Sequence, residues 1–208
     1  MAQSTGGGSD LPSGFTACDY IAPEVGATPY VRLGEVKNQQ VRAFEAGVTM
    51  TGQATADDWQ VVLGGCTNAS TSFSIWANNS WLSLGGGAGG SANDRYYTWS
   101  INEKLIIKAE NDLLYVNGNS VGQYLLSTPD QYWQYVCLFS RWTNGSASSQ
   151  NFAGRIHYAK FYDANGVLLW DGVACRRDSD NKYGFYDFVS RGFFGKDGGN
   201  GEFIGQLL

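Results

Sequence analysis

The sequence predicts an all-β protein, and more closely an antiparallel two-sheet β-sandwich. Apolar and polar residues alternate in several short segments, most clearly in residues 41–50, as they do in half-buried strands. Turn-forming pairs such as Asn117-Gly118 and Asn165-Gly166 separate neighbouring segments. No stretch keeps a 3.6-residue apolar period between helix caps. Strands joined by short turns therefore account for most of the chain.

The composition fits one folded domain with a sizeable core. All-β sandwiches reach the length of this chain, 208 residues, without dividing into two domains. Hydrophobic residues make up 43% of the chain and charged residues 16%, proportions that exclude a disordered protein. Residues 1–14 are polar and rich in glycine, so we expect a flexible N-terminal arm there and a single domain over residues 15–208.

The charge and hydropathy patterns exclude two classes of partner. The formal net charge is −5, whereas nucleic-acid binding requires a concentrated basic surface. No apolar run approaches the roughly 20 residues that cross a bilayer, and the first ten residues lack the basic and apolar regions of a signal peptide. We therefore expect neither nucleic-acid binding nor membrane insertion nor secretion through a signal peptide.

Short apolar runs between turn residues predict the strands upstream of residue 150. In residues 41–50 the alternation places Phe44, Ala46, Val48 and Met50 on one face, which we assign to the core. A turn over Asn117-Gly118 follows the predicted strand 113–116. The predicted strands are 15–21, 30–33, 41–50, 59–63, 73–76, 81–84, 96–99, 105–108, 113–116 and 134–141, with surface loops at 85–91 and 142–151.

The C-terminal quarter organises the rest of the chain. Two extended runs, 154–163 and 167–171, flank Asn165-Gly166. This pair suits a two-residue hairpin turn, because asparagine and glycine both tolerate positive φ. A third run, 183–187, follows a lone cysteine, Cys175. We expect these strands to close the sandwich.

The four cysteines show no pattern of a metal site. Cys18, Cys66, Cys137 and Cys175 are far apart in the sequence and lie among apolar or small residues. We predict buried free thiols that act as small hydrophobic side chains. A disulfide between distant cysteines stays open.

His157 is the only histidine, so a catalytic triad would depend on it. It alternates with Ala159 and Phe161, and we therefore place it on the inner face as a core or rim residue with satisfied hydrogen bonds. Asp178-Ser-Asp180-Asn181 is rich in oxygen atoms but lacks the glycine and the terminal glutamate of a calcium loop. We interpret this segment as an exposed turn and expect no cofactor, with calcium as the open alternative.

The same C-terminal quarter resembles a known family. It contains G-x-I-x-x-x-K-x-Y-D at 154–163, an apolar run ending in Asp171, the lone Cys175, G-F-Y-D at 184–187 and G-E-F at 201–203. This order and spacing resemble the laminin-G-like, concanavalin-A-like lectin domains of phage structural proteins and gut bacterial surface proteins. The start of the chain, with L-P-S-G-F at 11–15 and G-x-x-x-Y-V at 26–31, resembles the opening of the same domains. The resemblance at both ends implies a jelly roll over residues 11–205. It also includes Asp163, Asp171 and Asp187, which we expect to anchor turns.

The related architecture includes endoglucanases, whose retaining mechanism uses two carboxylates about 5 Å apart. Neighbouring inward positions on one strand supply that distance, but the chain has no E-x-D-x-E or E-x-D-x-x-E segment. Glu103 and Glu110 stand alone, and the consecutive Asp57 and Asp58 point to opposite faces. We predict no catalytic residues and no enzymatic activity. A glycoside hydrolase stays open only if carboxylates from distant strands converge.

Aromatic side chains beside polar loops indicate binding rather than chemistry. Sugars are recognised by aromatic faces together with polar groups that pair with the hydroxyls. The chain has seven tryptophans and twelve tyrosines, more aromatic area than one core requires. The alternative is that these rings fill or cover the core. The candidate ligand-binding residues are Trp81, Arg95, Tyr96, Trp142 and Asn144.

Together with these observations, the resemblance implies a non-catalytic virion component, such as a capsid decoration, a fibre or a tail appendage, which displays a possible glycan-binding face. The competing interpretation is a lectin that is free or on the bacterial cell surface. The protein would fold in the host cytoplasm and dock on other virion proteins through residues 1–14. A homo-oligomer stays open.

Overall fold

A computed structural model describes residues 11–37, 40–51, 60–65, 73–77, 81–85, 97–123, 135–143, 146–147 and 151–208. The secondary structure in these ranges consists of β-strands without a helix, which confirms the predicted all-β class. No apolar helix of membrane-spanning length occurs in the same residues. The strands are β1 (Phe15–Pro23), β2 (Val31–Lys37), β3 (Ala43–Thr49), β4 (Gln60–Gly65), β5 (Phe73–Ala77), β6 (Trp81–Gly85), β7 (Tyr97–Thr98), β8 (Lys104–Glu110), β9 (Leu113–Val116), β10 (Asn119–Gln123), β11 (Tyr135–Leu138), β12 (Trp142–Thr143), β13 (Ser146–Ala147), β14 (Arg155–Tyr162), β15 (Leu168–Arg177), β16 (Lys182–Asp187), β17 (Gly192–Phe194) and β18 (Phe203–Leu207).

The described strands form two sheets. The larger sheet has the order β10-β9-β8-β3-β14-β1-β15-β16-β17, with β18 beside β1. β14 pairs with β1 at Ile156, and from Tyr158 onwards it pairs directly with β15. The smaller sheet has the order β13-β12-β4-β5-β6-β7, with β11 beside β4 and β2 beside β11. The pairings are antiparallel except between β12 and β4, where Trp142 lies opposite Gly65 in a parallel arrangement.

The two sheets share one hydrophobic core, which makes the domain a β-sandwich. Val48 and Phe161 of the larger sheet belong to the same buried cluster as Val62, Ile75 and Leu138 of the smaller sheet. The cluster also contains the four residues that the alternation over 41–50 assigned to the core, so that prediction is confirmed. Burial of large apolar side chains contributes about 1.5–3 kcal/mol each.

The outer face of the larger sheet is polar and carries a row of alternating charges. Glu45 lies opposite Lys108 on one side and Lys160 on the other, and Lys160 lies opposite Asp171. The Lys160 ammonium is 3.4 Å from an Asp171 carboxylate oxygen. Opposite charges at directly facing positions stabilise an antiparallel register, so this row fixes β14 between β3 and β15.

Two hairpin turns test the turn predictions. Asn117 (φ 51°) and Gly118 (φ 81°) form a two-residue turn with positive φ at both positions between β9 and β10, as predicted. The prediction for Asn165-Gly166 is wrong in detail, because of these two residues only Gly166 has positive φ. The Gly166 N–H donates to the Asp163 carbonyl at 3.2 Å, so the connection is a longer turn centred on Ala164 and Asn165.

Asp163 and Asp187 anchor turns as predicted. One Asp163 oxygen accepts from the backbone N–H groups of Asn165 and Val167, both at 2.8 Å. The buried Asp187 carboxylate accepts from three backbone N–H groups and from the Ser190 hydroxyl. The prediction is wrong for Asp171, which lies within β15, because its side chain pairs with a lysine instead.

Other sequence predictions have mixed outcomes. Asp178 and Asp180 lie in an exposed turn, as predicted. The expected loop over 142–151 is wrong where β12 and β13 pair in a short hairpin. Strands β10, β17 and β18 were not predicted. The other predicted loop, 85–91, is wrong at Gly85, which ends β6, and residues 86–91 lie outside the described residues.

Three cysteines are buried free thiols, as predicted: Cys18, Cys137 and Cys175. Burial raises the pKa of the Cys18 thiol to about 11 and that of Cys175 to about 12. These groups therefore stay protonated and unreactive near neutral pH. Cys66 lies outside the described residues.

We expect Gly184→Ala to lower the free energy of unfolding by about 1–3 kcal/mol, the range for an overpacked interior. A Cβ at Gly184, in β16, would overlap the Phe194 carbonyl oxygen and crowd the Phe193 ring. Backbone cannot move aside as a flexible side chain can. Urea denaturation checks the value, with Ser179→Ala in the exposed turn as the control. An unchanged midpoint for Gly184→Ala would contradict the packing of β16 on β17.

Candidate functional site

One of the five predicted ligand-binding residues has a described side chain. Trp142 lies in β12, at the outer face of the smaller sheet. Trp81 begins β6, but its side chain lies outside the described residues, as do Arg95, Tyr96 and Asn144 entirely. The structure therefore tests the surroundings of Trp142 alone.

Trp142 belongs to a half-buried group of aromatic and charged side chains, which we name the Trp142 cluster. Strands β2 and β11 pair, with Cys137 opposite Arg32 and Tyr135 opposite Lys37. Arg32 lies between the core residues Val31 and Leu33 in sequence, so its side chain projects outwards. The cluster consists of Tyr30, Arg32, Lys37, Tyr135, Trp142 and Asp197.

Trp142 is held between two tyrosines. Its ring centroid lies 5.6 Å from that of Tyr135 and 6.2 Å from that of Tyr30, and both pairs meet edge to face. This arrangement matches the aromatic quadrupoles. The two tyrosines therefore fix the orientation of the Trp142 indole.

Arg32 joins the aromatic rings to a carboxylate. Its guanidinium carbon lies 4.6 Å from the Tyr135 centroid and 5.7 Å from the Trp142 centroid. Its Nε is 3.2 Å from an Asp197 oxygen, and the two side chains are 35% and 33% exposed. At this exposure the ion pair contributes little stability, so both groups can exchange hydrogen bonds with a ligand at low cost.

Further contacts fix the rest of the cluster. The Lys37 ammonium lies 3.0 Å from the Tyr135 ring centroid. Burial, followed by the nearby Asp197 carboxylate, raises the pKa of the Tyr30 hydroxyl, which therefore remains a hydrogen-bond donor at neutral pH. Cys137 is fully buried beneath this group.

A cleft of about 380 Å³ begins beside the cluster. Asp197, the partner of Arg32, lines this cleft together with Tyr183, Phe193 and Lys182. Its volume falls within the usual range for small-molecule sites. The aromatic cluster and the cleft are thus joined through one carboxylate.

Arg32, Tyr135 and Asp197 were not predicted as site residues. The alternation V-R-L in β2 places Arg32 outwards and was a usable signal. Asp197 gave no local signal, because it is 165 residues from Arg32 and meets it only through the bridge between Tyr30 and Gly198.

A second polar group contains the single histidine. The His157 Nδ1–H donates to the Asp19 carbonyl at 2.6 Å, and Nδ1 lies 3.2 Å from the Asp19 carboxylate. With that proton on Nδ1, Nε2 accepts from the Thr49 hydroxyl at 2.8 Å. The prediction of a histidine with satisfied hydrogen bonds is confirmed.

The predicted inner-face position of His157 is wrong. The register between β14 and β3 shifts between Ile156 and Tyr158. Ile156 and Ala159 both lie in the core, so an extra residue stands between them. This β-bulge turns His157 towards Thr49 on the outer side of the larger sheet.

Thr49, His157 and Asp19 provide a hydroxyl, an imidazole and a carboxylate in the order of a catalytic triad. The burial of the hydroxyl and the imidazole argues against catalysis. Thr49 is 5% exposed and His157 is 8% exposed. A nucleophilic oxygen must reach a substrate carbon. The interactions instead join β1, β3 and β14.

Carboxylates that glycoside hydrolysis would require have structural partners instead. Glu103 accepts from the Tyr97 hydroxyl and from the Ser100 N–H, both at 2.7 Å. Glu110 pairs with Lys108, and Glu45 accepts from the Tyr158 hydroxyl. Asp57 and Asp58 lie outside the described residues. Within the described ranges, no group of three or more His, Cys, Asp or Glu side chains could hold a metal ion.

Comparisons with known proteins leave the family open: no family model matches the chain and no curated protein matches it. The likeness to laminin-G-like domains therefore rests on the residue order at the two ends of the chain.

Acidification should destabilise the protein through His157. Burial lowers the pKa of His157 below its ordinary value of 6.5, so the unfolded chain binds the proton more tightly than the folded chain does. Stability is then lost as the pH falls below about 6.5, by up to about 1.36 kcal/mol for each pH unit.

Urea denaturation between pH 7 and pH 5 checks this expectation. The loss of unfolding free energy should be smaller in His157→Gln, which does not titrate, than in the unchanged protein. Parallel pH profiles of the two proteins would show that His157 gains its proton as easily when folded as when unfolded.

Proposed function

We propose that this chain is a non-catalytic binding module that recognises glycans through the Trp142 cluster. The observation that carries the proposal is the half-buried Trp142 ring, oriented by two tyrosines and bordered by Arg32 and Asp197. Aromatic rings pack against the C–H face of a sugar, while charged and amide groups pair with its hydroxyls. The cluster places both kinds of group side by side.

The rigidity of the cluster supports a binding role. Arg32 is stacked on Tyr135 and paired with Asp197, so its rotamer is fixed before any ligand arrives. Fixing a long side chain on binding costs about 0.5–1.5 kcal/mol. A ligand at this surface would not bear that cost.

We further propose that the sandwich is a jelly roll of the laminin-G-like type and serves on a phage virion, as a capsid decoration, fibre or tail appendage. The residue order at 154–163, 184–187 and 201–203 supports this proposal. Residues 1–14 would dock on another virion protein. A lectin that is free or on the bacterial cell surface would use the same Trp142 cluster without such docking.

Trp142→Ala should weaken glycan binding at least about tenfold, a loss of about 1.4 kcal/mol, because it removes the ring on which the sugar packs. A glycan array identifies the ligand, and isothermal titration with the strongest binder measures the change. Phe188→Ala is the matched control, since Phe188 is a half-buried aromatic residue in the turn between β16 and β17, outside the Trp142 cluster.

Two results would contradict glycan binding through this cluster. One is an array without a reproducible ligand. The other is equal affinity for the Trp142→Ala and Phe188→Ala variants. Circular dichroism of both variants establishes that each is folded before its affinity is compared.

Deletion of residues 1–14 should abolish attachment to the virion while leaving glycan affinity unchanged. Immunogold labelling of purified particles, made with the full chain or the deleted chain, checks the attachment. Unlabelled particles with the full chain would favour the lectin without a virion role.

A further inference from the structure

A second cleft, of about 480 Å³, lies on the larger sheet. It is bordered by the turn between β8 and β9, by the turn between β14 and β15, and by the start of β3. Its polar lining includes Arg42, Glu45, Lys108, Asp112, Tyr162 and Asp163.

The strand alternation shows which way this cleft faces. Glu45, Lys108 and Tyr162 each neighbour a core residue in sequence, so they project from the outer face of the larger sheet. The Trp142 cluster projects from the outer face of the smaller sheet. The two surfaces therefore face away from each other across the core.

The walls of the cleft are fixed by backbone geometry. Asn111 and Asp112 both have positive φ in the tight turn that joins β8 to β9. Asp163 holds the opposite turn through two hydrogen bonds to backbone N–H groups. A ligand would meet a site that is already formed.

In the part of the chain that the structure describes, the Arg42 guanidinium has one hydrogen-bond partner. It donates to the Val41 carbonyl at 2.8 Å. Among the described residues no carboxylate lies within ion-pair distance of it, although Glu45, Asp112 and Asp163 line the same cleft. Four of its five N–H donors thus remain available to an acceptor.

The other polar groups are partly engaged. One Glu45 oxygen accepts from the Tyr158 hydroxyl at 2.8 Å, which leaves its second oxygen for a donor. Lys108 is 2.7 Å from a Glu110 oxygen. Burial raises the pKa of the Tyr162 hydroxyl, which therefore stays neutral and can donate a hydrogen bond. The ring of the same residue also lines the cleft.

A metal ion does not fit this arrangement, because the described carboxylates form no group of three that could hold one. A ligand that suits the cleft must accept from the guanidinium and donate to the carboxylates. Vicinal hydroxyl groups do both, since each hydroxyl has one donor and two acceptor sites. The Tyr162 ring offers a surface for the apolar side of a sugar.

We propose that the cleft at Arg42 and Tyr162 is a second sugar-binding site, which makes the chain bivalent. The inference rests on the proposed function for its ligand class but uses different residues. Two sites on opposite faces would let one molecule bridge two glycan chains, and bridging raises avidity without new contacts.

The experiment is a two-dimensional amide NMR titration of the full chain with galactose, N-acetylglucosamine and lactose. We expect two separate sets of shifted amides, one around residues 42–45, 108–112 and 162–166, and one around residues 30–32 and 135–142. Arg42→Gln should raise the dissociation constant of the first set at least about tenfold and leave the second unchanged. Trp142→Ala should do the reverse.

Arg191→Gln is the matched control, because Arg191 is exposed and lies outside both sites. Shifts confined to the Trp142 set would overturn the second site and leave the proposed function standing. No shift in either set would count against both. Shifts at Arg42 with glycylglycine but with none of the three sugars would also overturn the proposal, in favour of a zwitterionic ligand.

Discussion

The position of β14 between β3 and β15 is the constraint on which the rest of the larger sheet depends. β14 pairs with β3 over seven residues and with β15 over five. Its inward Phe161 packs against Phe44 and Trp170 in the core. Its outward Lys160 lies between two carboxylates. A slip of one residue would bury the charge and expose the ring, so both faces select the same register.

That register also explains the outer surface of the sheet. The bulge at His157 shifts the alternation once, which lets Ile156 and Ala159 both reach the core. Tyr158 then lies across Gly47, where a Cβ would overlap its ring. From this position its hydroxyl reaches Glu45. The glycine in β3 and the bulge in β14 are thus two parts of one local arrangement.

The sequence revealed local features much better than contacts between distant strands. The core face of β3 and the Asn117-Gly118 turn follow from period and turn chemistry, which act over a few residues. The bulge at His157 could not be found this way, because alternation through 157, 159 and 161 continues without a visible break. Only pairing with β3 shows the inserted residue.

The candidate site was predicted in part for the same reason. Trp142 stood out as an aromatic residue beside polar neighbours, but its environment depends on residues from β2, from β11 and from the segment after β17. Each of these is brought near by sheet pairing rather than by sequence proximity. The Arg32 contact with Asp197 could not be read from either residue alone.

The two proposed sites differ in how firmly their arginine side chains are held, and this difference affects the affinity of each site for a sugar. Arg32 has an aromatic stacking partner and an ion-pair partner, whereas Arg42 has one backbone carbonyl. Ordering a mobile side chain costs about 0.5–1.5 kcal/mol on binding. With similar ligand contacts, the cleft at Arg42 would then bind more weakly than the Trp142 cluster, by a factor of about 2–12. The proposed bivalent module would therefore hold a sugar more tightly at the Trp142 cluster than at the cleft beside Arg42.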